Sequence, residues 1–304
     1  MKKVILVPHA INFENPDIPG AEATYLYNIY FKNAKMIQFY GKDIIGRIYI
    51  TGNIALYIIG GGKVNSAASM SALLSSQIFD LDNTQFILCG SCGCAQDRGV
   101  VGDIYIVDTC VDYDFGNLID PCEFDTPNGQ TWFPDFNLSH FANIKLNTEK
   151  ITSIFEKYKD ENIFSSDKLT SIMGKAFDNK KWALRKPKVI QASSVTSDSY
   201  WKGSYKHQIA DDACKAYKTK SPYFATVMED SAVARVLSQY NMLDNFIIIR
   251  YSVNMDTFLK GQNPQNLWID NDFEADEGSP DGFNEFIPDI CASGSKICWD
   301  IVNS

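Results

Sequence analysis

Four short polar stretches carry the side chains and backbone groups with chemical potential. Gly60, Gly61 and Gly62 follow a β-branched run and precede Lys63, Val64, Asn65, Ser66, Ala67 and Ala68. Glycines between a strand and a helix let backbone N–H groups approach a ligand where partial positive charge gathers. A tight strand–helix turn without a ligand needs the same residues. Cys89, Gly90, Ser91, Cys92, Gly93 and Cys94 end an apolar run in small residues, and Gly99 to Ile104 follow. Such an ending opens a crevice at the carboxyl edge of a sheet, where α/β proteins bind ligands. Ser193 to Ser199 supply hydroxyls before Tyr200 and Trp201, two rings that offer a stacking wall for a flat base or else simply fill core or surface. Met228, Glu229 and Asp230 close a strand and open a helix, where carboxylates complement the helix dipole, so plain capping stands beside a binding role. With the run Arg250 to Asp256, the order becomes strand, polar cluster, strand, polar cluster. That is how a sheet-edge pocket is assembled from several loops.

The elements that must position these clusters are legible as short β-branched or aromatic runs bounded by turn residues. They predict strands over Val4–Val7, Arg47–Thr51, Ala55–Ile59, Phe86–Cys89, Asp103–Val107, Lys188–Gln191 and Phe246–Tyr251. Several are continuously apolar, as in strands buried on both faces. Between them, Val64, Ala67, Ala68, Ala72, Leu73 and Leu74 predict one helical apolar face, and Ala232, Val233, Val236, Leu237 and Tyr240 another. Strands alternating with helices predict an α/β fold: a central mixed sheet covered on both sides. Residues 1–304 are read as a single domain with long insertions near 112–147 and 261–288, both rich in acidic, Pro and turn-forming residues and poor in periodicity.

Composition narrows the function classes. At 45% hydrophobic and 21% charged, the chain can bury a sizeable core. Its net charge of -9 repels phosphate backbones and argues against nucleic acid as a partner. No segment approaches the roughly 18 to 20 continuous apolar residues of a membrane helix, so no membrane partner and a cytoplasmic location are expected. Val4–Val7 is too short for a signal-peptide core and ends at Pro8 and His9. Cys89, Cys92 and Cys94 contain a zinc-like spacing, but a second matching pair is missing. Reduced thiols and no metal are the expectation. His9, His140 and His207 each lack a sequence partner that would mark a catalytic pair. His9, just after the first strand, is the best placed.

The order and spacing of these clusters resemble the nucleoside phosphorylase superfamily, and within it the purine nucleoside permease family. The likeness is strongest in Gly61–Ala68, Gly90–Gly93, Thr196–Trp201 and Met228–Asp230. It implies a three-layer α/β/α fold with a mixed, partly barrel-like sheet, no membrane-spanning segment, and a homo-oligomer. It also implies binding of a purine nucleoside and cleavage of its N-glycosidic bond, by phosphorolysis or hydrolysis. Glu229 would accept hydrogen bonds from the ribose hydroxyls, with Met228 against the sugar, Tyr200 stacked on the base, and Ser91 beside the phosphate or water. Gly62, Gly93 and His9 complete the expected binding set.

Two departures from the superfamily pattern matter. Where an Asp commonly protonates the purine at N7, this sequence has Asn254 after Val253. An amide is no general acid, but it can hydrogen-bond N7 and a 6-oxo group together, which favours 6-oxopurines. Asp256 is the alternative acid. Where bacterial phosphorylases carry a phosphate-binding Arg, Leu88 stands here. Either Arg47 or Arg98 substitutes, from this chain or a neighbouring subunit, or water is the nucleophile, with Glu14 or Glu22 to activate it. No cofactor is expected beyond phosphate as a possible co-substrate. A catalytically silent nucleoside-binding or transport-associated protein on the same fold is the alternative.

Overall fold

The computed structural model describes residues 2–12, 14–15, 17–39, 41, 43–76, 78, 80, 83–118, 132–134, 139–199, 203–257 and 283–304. Its centre is a mixed sheet flanked by helices in a three-layer α/β/α arrangement. The strands are β1 (Lys2–Val7), β2 (Lys35–Gln38), β3 (Arg47–Thr51), β4 (Ile54–Ile58), β5 (Thr84–Cys94), β6 (Ile104–Asp112), β7 (Gly116–Leu118), β8 (Trp132–Pro134), β9 (Asn143–Lys145), β10 (Val189–Thr196), β11 (Tyr223–Val227) and β12 (Phe246–Met255). The main sheet runs β11-β10-β6-β12-β5-β1-β4-β3-β2, with β9 beside β6. A further antiparallel pairing of β11 with β5, Ala225 opposite Cys94, closes five of these strands into a barrel.

The apolar runs explain this closure. Val4 to Val7 in β1 and Phe246 to Ile249 in β12 are wholly buried, because both faces of these strands are covered and neither can present a polar edge to water. The helices are α1 (Thr24–Leu26), α2 (Lys63–Ser75), α3 (Ser139–Ala142), α4 (Thr148–Tyr158), α5 (Asp167–Ala176), α6 (Ser204–Ala216), α7 (Asp230–Gln239) and α8 (Ile287–Asn303). α8 lies against β5 and β12, while α4 and α7 cover β6 and β10.

Three local expectations are corrected. The inner face of α2 is Ser66, Ser69, Met70, Leu73 and Leu74, and Val64 is 78% exposed. Small serines let this helix sit close to the sheet, with Ser69 Oγ donating to the Ile59 carbonyl at 2.8 Å. Tyr240 at the end of α7 is likewise exposed, leaving Val233, Ala234, Val236 and Leu237 as the packed face. The segment 112–147 is not one long loop. Its described parts contain the β7–β8 pair, α3 and β9, elements of three or four residues that are too short to show a period. Residues 119–131 and 258–282, within or overlapping the two expected insertions, lie outside the described residues. α8 starts at Ile287 with Pro288 in its first turn, where a missing N–H costs nothing.

Candidate active site

The carboxyl ends of β1, β5, β10, β11 and β12 converge on one cavity of about 160 Å³. Its lining includes His9, Glu22, Ser91, Cys92, Gly93, Ser199, Thr226, Met228, Glu229 and Asn254. These residues come from five strands or their exits and from the turn carrying Glu22, which explains why the clusters are so far apart in sequence.

Two buried carboxylates define the chemistry. Glu22 accepts from the His9 N–H at 2.9 Å, from the Ser91 N–H at 2.6 Å, and from the Ser91 hydroxyl. Glu229 precedes α7 but makes no side-chain capping bond to it. Its Oε1 accepts from the Gly62 N–H at 3.0 Å and its Oε2 from Arg250 Nη2 at 2.9 Å. The glycine turn therefore presents its amide to the protein's own carboxylate. Burial pushes the Glu229 carboxyl above the usual carboxylate range; Arg250 opposes this and the charge of Glu22 adds to it.

Arg250 holds the cluster together. It is 1% exposed, donates to Asp230 Oδ1 from Nε at 2.9 Å and from Nη2 at 2.6 Å, and donates from Nη1 to the Ser91 carbonyl at 3.1 Å. A Cβ on Gly90 would stand 2.6 Å from Arg250 Nη1, so only glycine lets the guanidinium pass. Gly93 does the same for Asn254, whose Oδ1 would be 2.8 Å from an added Cβ. The register of β12 against β5 shifts between Ser252 and Asn254, and such a bulge re-aims a side chain. Among the described residues nothing hydrogen-bonds the Asn254 amide.

Of the residues singled out from sequence, His9, Glu22, Ser91, Gly93, Met228, Glu229 and Asn254 share this cavity, and Gly62 touches it through Glu229. Tyr200 lies outside the described residues, as does the His140 side chain; Ser199, beside Tyr200, lines the cavity. Glu14 is exposed and away from the lining, its N–H turned to Asn12 Oδ1, so of the two N-terminal carboxylates only Glu22 reaches the site. Asp256 is also outside the lining: it is buried, accepting from Tyr223 at 2.6 Å and bonded to His207 Nδ1 at 2.8 Å. Arg47 bonds to Asp17 and Gln38, and Arg98 to Asp97 and Asp211, neither lining the cavity. Cys89, Cys92 and Cys94 are free thiols. Among the described residues the one group able to gather round a metal is Asp97, His207 and Asp211, whose carboxylates Arg98 already bridges.

Sequence reasoning missed Arg250 as the organising cation. Its signal was present: one charge inside an apolar strand must find a buried partner. It also left His207 without a partner, because Asp256 is 49 residues away. Burial lowers the affinity of His207 for a proton, but the hydrogen bond and charge of Asp256, with Asp97 and Asp211 behind, outweigh it and leave the pKa raised. A group raised in the folded state contributes its full stability below its ordinary value, about 6.5, and loses that contribution as pH rises through the folded value. Urea midpoints of wild type and His207→Gln, compared at about pH 6, 7 and 8, should therefore converge towards the alkaline end. A gap that widens with pH would contradict this pairing.

This fold belongs to a known class. The chain is similar in fold to the 5′-methylthioadenosine/S-adenosylhomocysteine nucleosidase of S. pneumoniae, with a TM-score of 0.58 and 18% identity over 99% of this chain and 98% of that one. The Helicobacter pylori enzyme of the same description gives 0.60 and 14%, over 100% and 98%. Residues 12–304 match the purine nucleoside permease (NUP) family, and the chain belongs to that family. It is 26% identical over 221 residues to a probable purine nucleoside permease of Schizosaccharomyces pombe, covering 65% of this chain and 63% of that protein. To a purine nucleoside permease of Candida albicans it is 24% identical over 278 residues, covering 84% and 66%. The chain thus spans about two-thirds of the length of these curated relatives. Among the described residues no helix is long and apolar enough to cross a membrane.

Proposed function

We propose that this chain binds a purine nucleoside in the cavity and hydrolyses its N-glycosidic bond. The observation that carries the reading is the placement of Glu22 and Glu229 on one cavity, each held by backbone amides. Glu229 accepts from the ribose hydroxyls, since paired hydroxyl donors bind a charged acceptor about twice as strongly as a neutral one. Glu22, with Ser91 beside it, takes a proton from water as the water oxygen bonds to the anomeric carbon. The carbon–nitrogen bond breaks towards the base, which leaves with the electron pair and takes up a proton from solvent, to which Glu22 returns the proton it accepted. Asn254, its amide unengaged, holds N7 and a 6-oxo group.

Water rather than phosphate is favoured by the charges. No Lys or Arg is among the described residues lining the cavity. The guanidinium behind it, Arg250, is committed to Glu229, Asp230 and the Ser91 carbonyl, and a buried phosphate needs a paired cation.

Incubation with inosine, guanosine and adenosine, each with and without phosphate, tests the reading. Base release without phosphate, faster for the 6-oxopurines, is the expected result. A strict phosphate requirement would overturn hydrolysis, and no release from any of them would overturn the enzyme. The family's relatives are named permeases and Asn254 cannot donate the proton an Asp would, which together favour one second reading: a binding protein that does not turn its ligand over. Tight inosine binding by calorimetry with no base formed would select it.

A further inference from the structure

Among the charged clusters that the proposed mechanism leaves unused, one is built around Lys63 at the first position of α2. Its ammonium meets Asp112 Oδ1 at 3.1 Å and Asp114 Oδ2 at 2.5 Å, at the exit of β6. Its backbone N–H donates to Asp198 Oδ1 at 2.7 Å, at the exit of β10. The far oxygen of Asp112 accepts from Ser231 Oγ at 3.2 Å, in the first turn of α7. Lys63 therefore ties the exit of β6 to that of β10 and, through Asp112, to the start of α7, and its own segment and the last two lie beside the cavity. Gly62 precedes Lys63 and donates to Glu229, Ser199 follows Asp198, and Glu229 lies two residues before Ser231.

The energetics make the tie more than a surface ion pair. The Lys63 side chain is 17% exposed and that of Asp112 is 4%. A buried carboxylate without its cation must either stay charged at high cost or take up a proton. Burial already raises the Asp112 carboxyl, and Lys63 opposes this most, helped by the Asp114 N–H. Asp114 faces the same oxygen cluster, and Arg235 lies near enough to feel the Asp112 charge.

We propose that Lys63 is a positioning residue for the nucleoside site. It touches no substrate, but through Asp112 and Ser231 it sets the start of α7, and hence Glu229, against the Gly62 amide. The inference rests on the proposed nucleoside chemistry for its catalytic readout, though not for its structural one. Removing the charge lets Asp112 protonate, weakens its bond from Ser231 and loosens the two bonds that aim Glu229.

Lys63→Met should lower kcat for base release by about 10- to 100-fold, the scale on which lost outer supports act, while the melting curve still reports a folded protein. The acid limb of the rate profile should move to higher pH, because Asp112 no longer has its cation. Lys63→Arg should restore most of the rate, and Asp112→Asn on top of Lys63→Met should add little further loss. Amide exchange at Gly62 and Ser231, read by NMR, should quicken in Lys63→Met whether or not any substrate is turned over. Unchanged exchange at Gly62 would overturn the inference. So would a folded Lys63→Met protein with wild-type kcat and acid limb. If wild type cleaves and binds none of the nucleosides, the proposed function fails, and the exchange measurement still decides the role of Lys63.

Discussion

Replacing Arg250 by Leu should cost about 3–5 kcal/mol of stability, the scale on which buried ion clusters respond to loss of one partner. The guanidinium is enclosed at the junction of β12, β5 and the α7 N-terminus and bonds to Glu229, Asp230 and the Ser91 carbonyl. Leu removes the cation and leaves both carboxylates buried, and among the described residues Asp230 Oδ2 already has no hydrogen-bond partner. Urea unfolding followed by circular dichroism reads the cost as a fall in the midpoint. Arg250→Lys should recover only part of it, because a single ammonium cannot reproduce the planar fork that reaches two carboxylates and a carbonyl at once. A midpoint for Arg250→Leu close to that of wild type would mean that the cluster does not hold the site together.

Changing Glu22 to Gln should lower the rate of base release by about 10²- to 10⁴-fold, the range a positioned general base supplies. Inosine affinity measured by calorimetry should change far less, since in the proposed mechanism Glu229, not Glu22, holds the ribose. Three donors converge on the Glu22 carboxylate, so an amide must turn its NH₂ against an N–H or O–H group. A stability loss of about 1–3 kcal/mol for an unsatisfied buried donor accompanies the change and is separable from the rate by the melting curve. Glu14→Gln is the matched control, because Glu14 is exposed and outside the lining. Full activity in Glu22→Gln, or a loss confined to Glu14→Gln, would remove Glu22 from the mechanism.

How far the site could be read before folding differs from residue to residue. The apolar strands β1, β4, β5 and β12 and the helix α7 announce themselves through local pattern, because burial on both faces or on one stripe leaves a period in the chain. The sequence places α2 but not its serine-lined inner face. The short strands β7, β8 and β9 do not, having three residues each. Glu229 and Asn254 are visible because each sits where a strand ends, and α/β chains place their ligand groups there. Glu14 and Glu22 are indistinguishable in sequence. They were separated only by the helical turn at Ala21–Ala23, which brings Glu22 under the His9 and Ser91 amides.

What the amino-acid sequence determined alone is therefore the class of fold, the positions of the polar clusters along the chain, and the substitution of an amide at residue 254. What only the tertiary structure decided is which charges meet. Arg250 finds Glu229 and Asp230, Lys63 finds Asp112 and Asp114, and His207 finds Asp256. Secondary structure follows from near neighbours and so leaves a trace in local periodicity. These ion pairs follow from the packing of helices and loops around the sheet, which brings together residues whose separation along the chain carries no such trace.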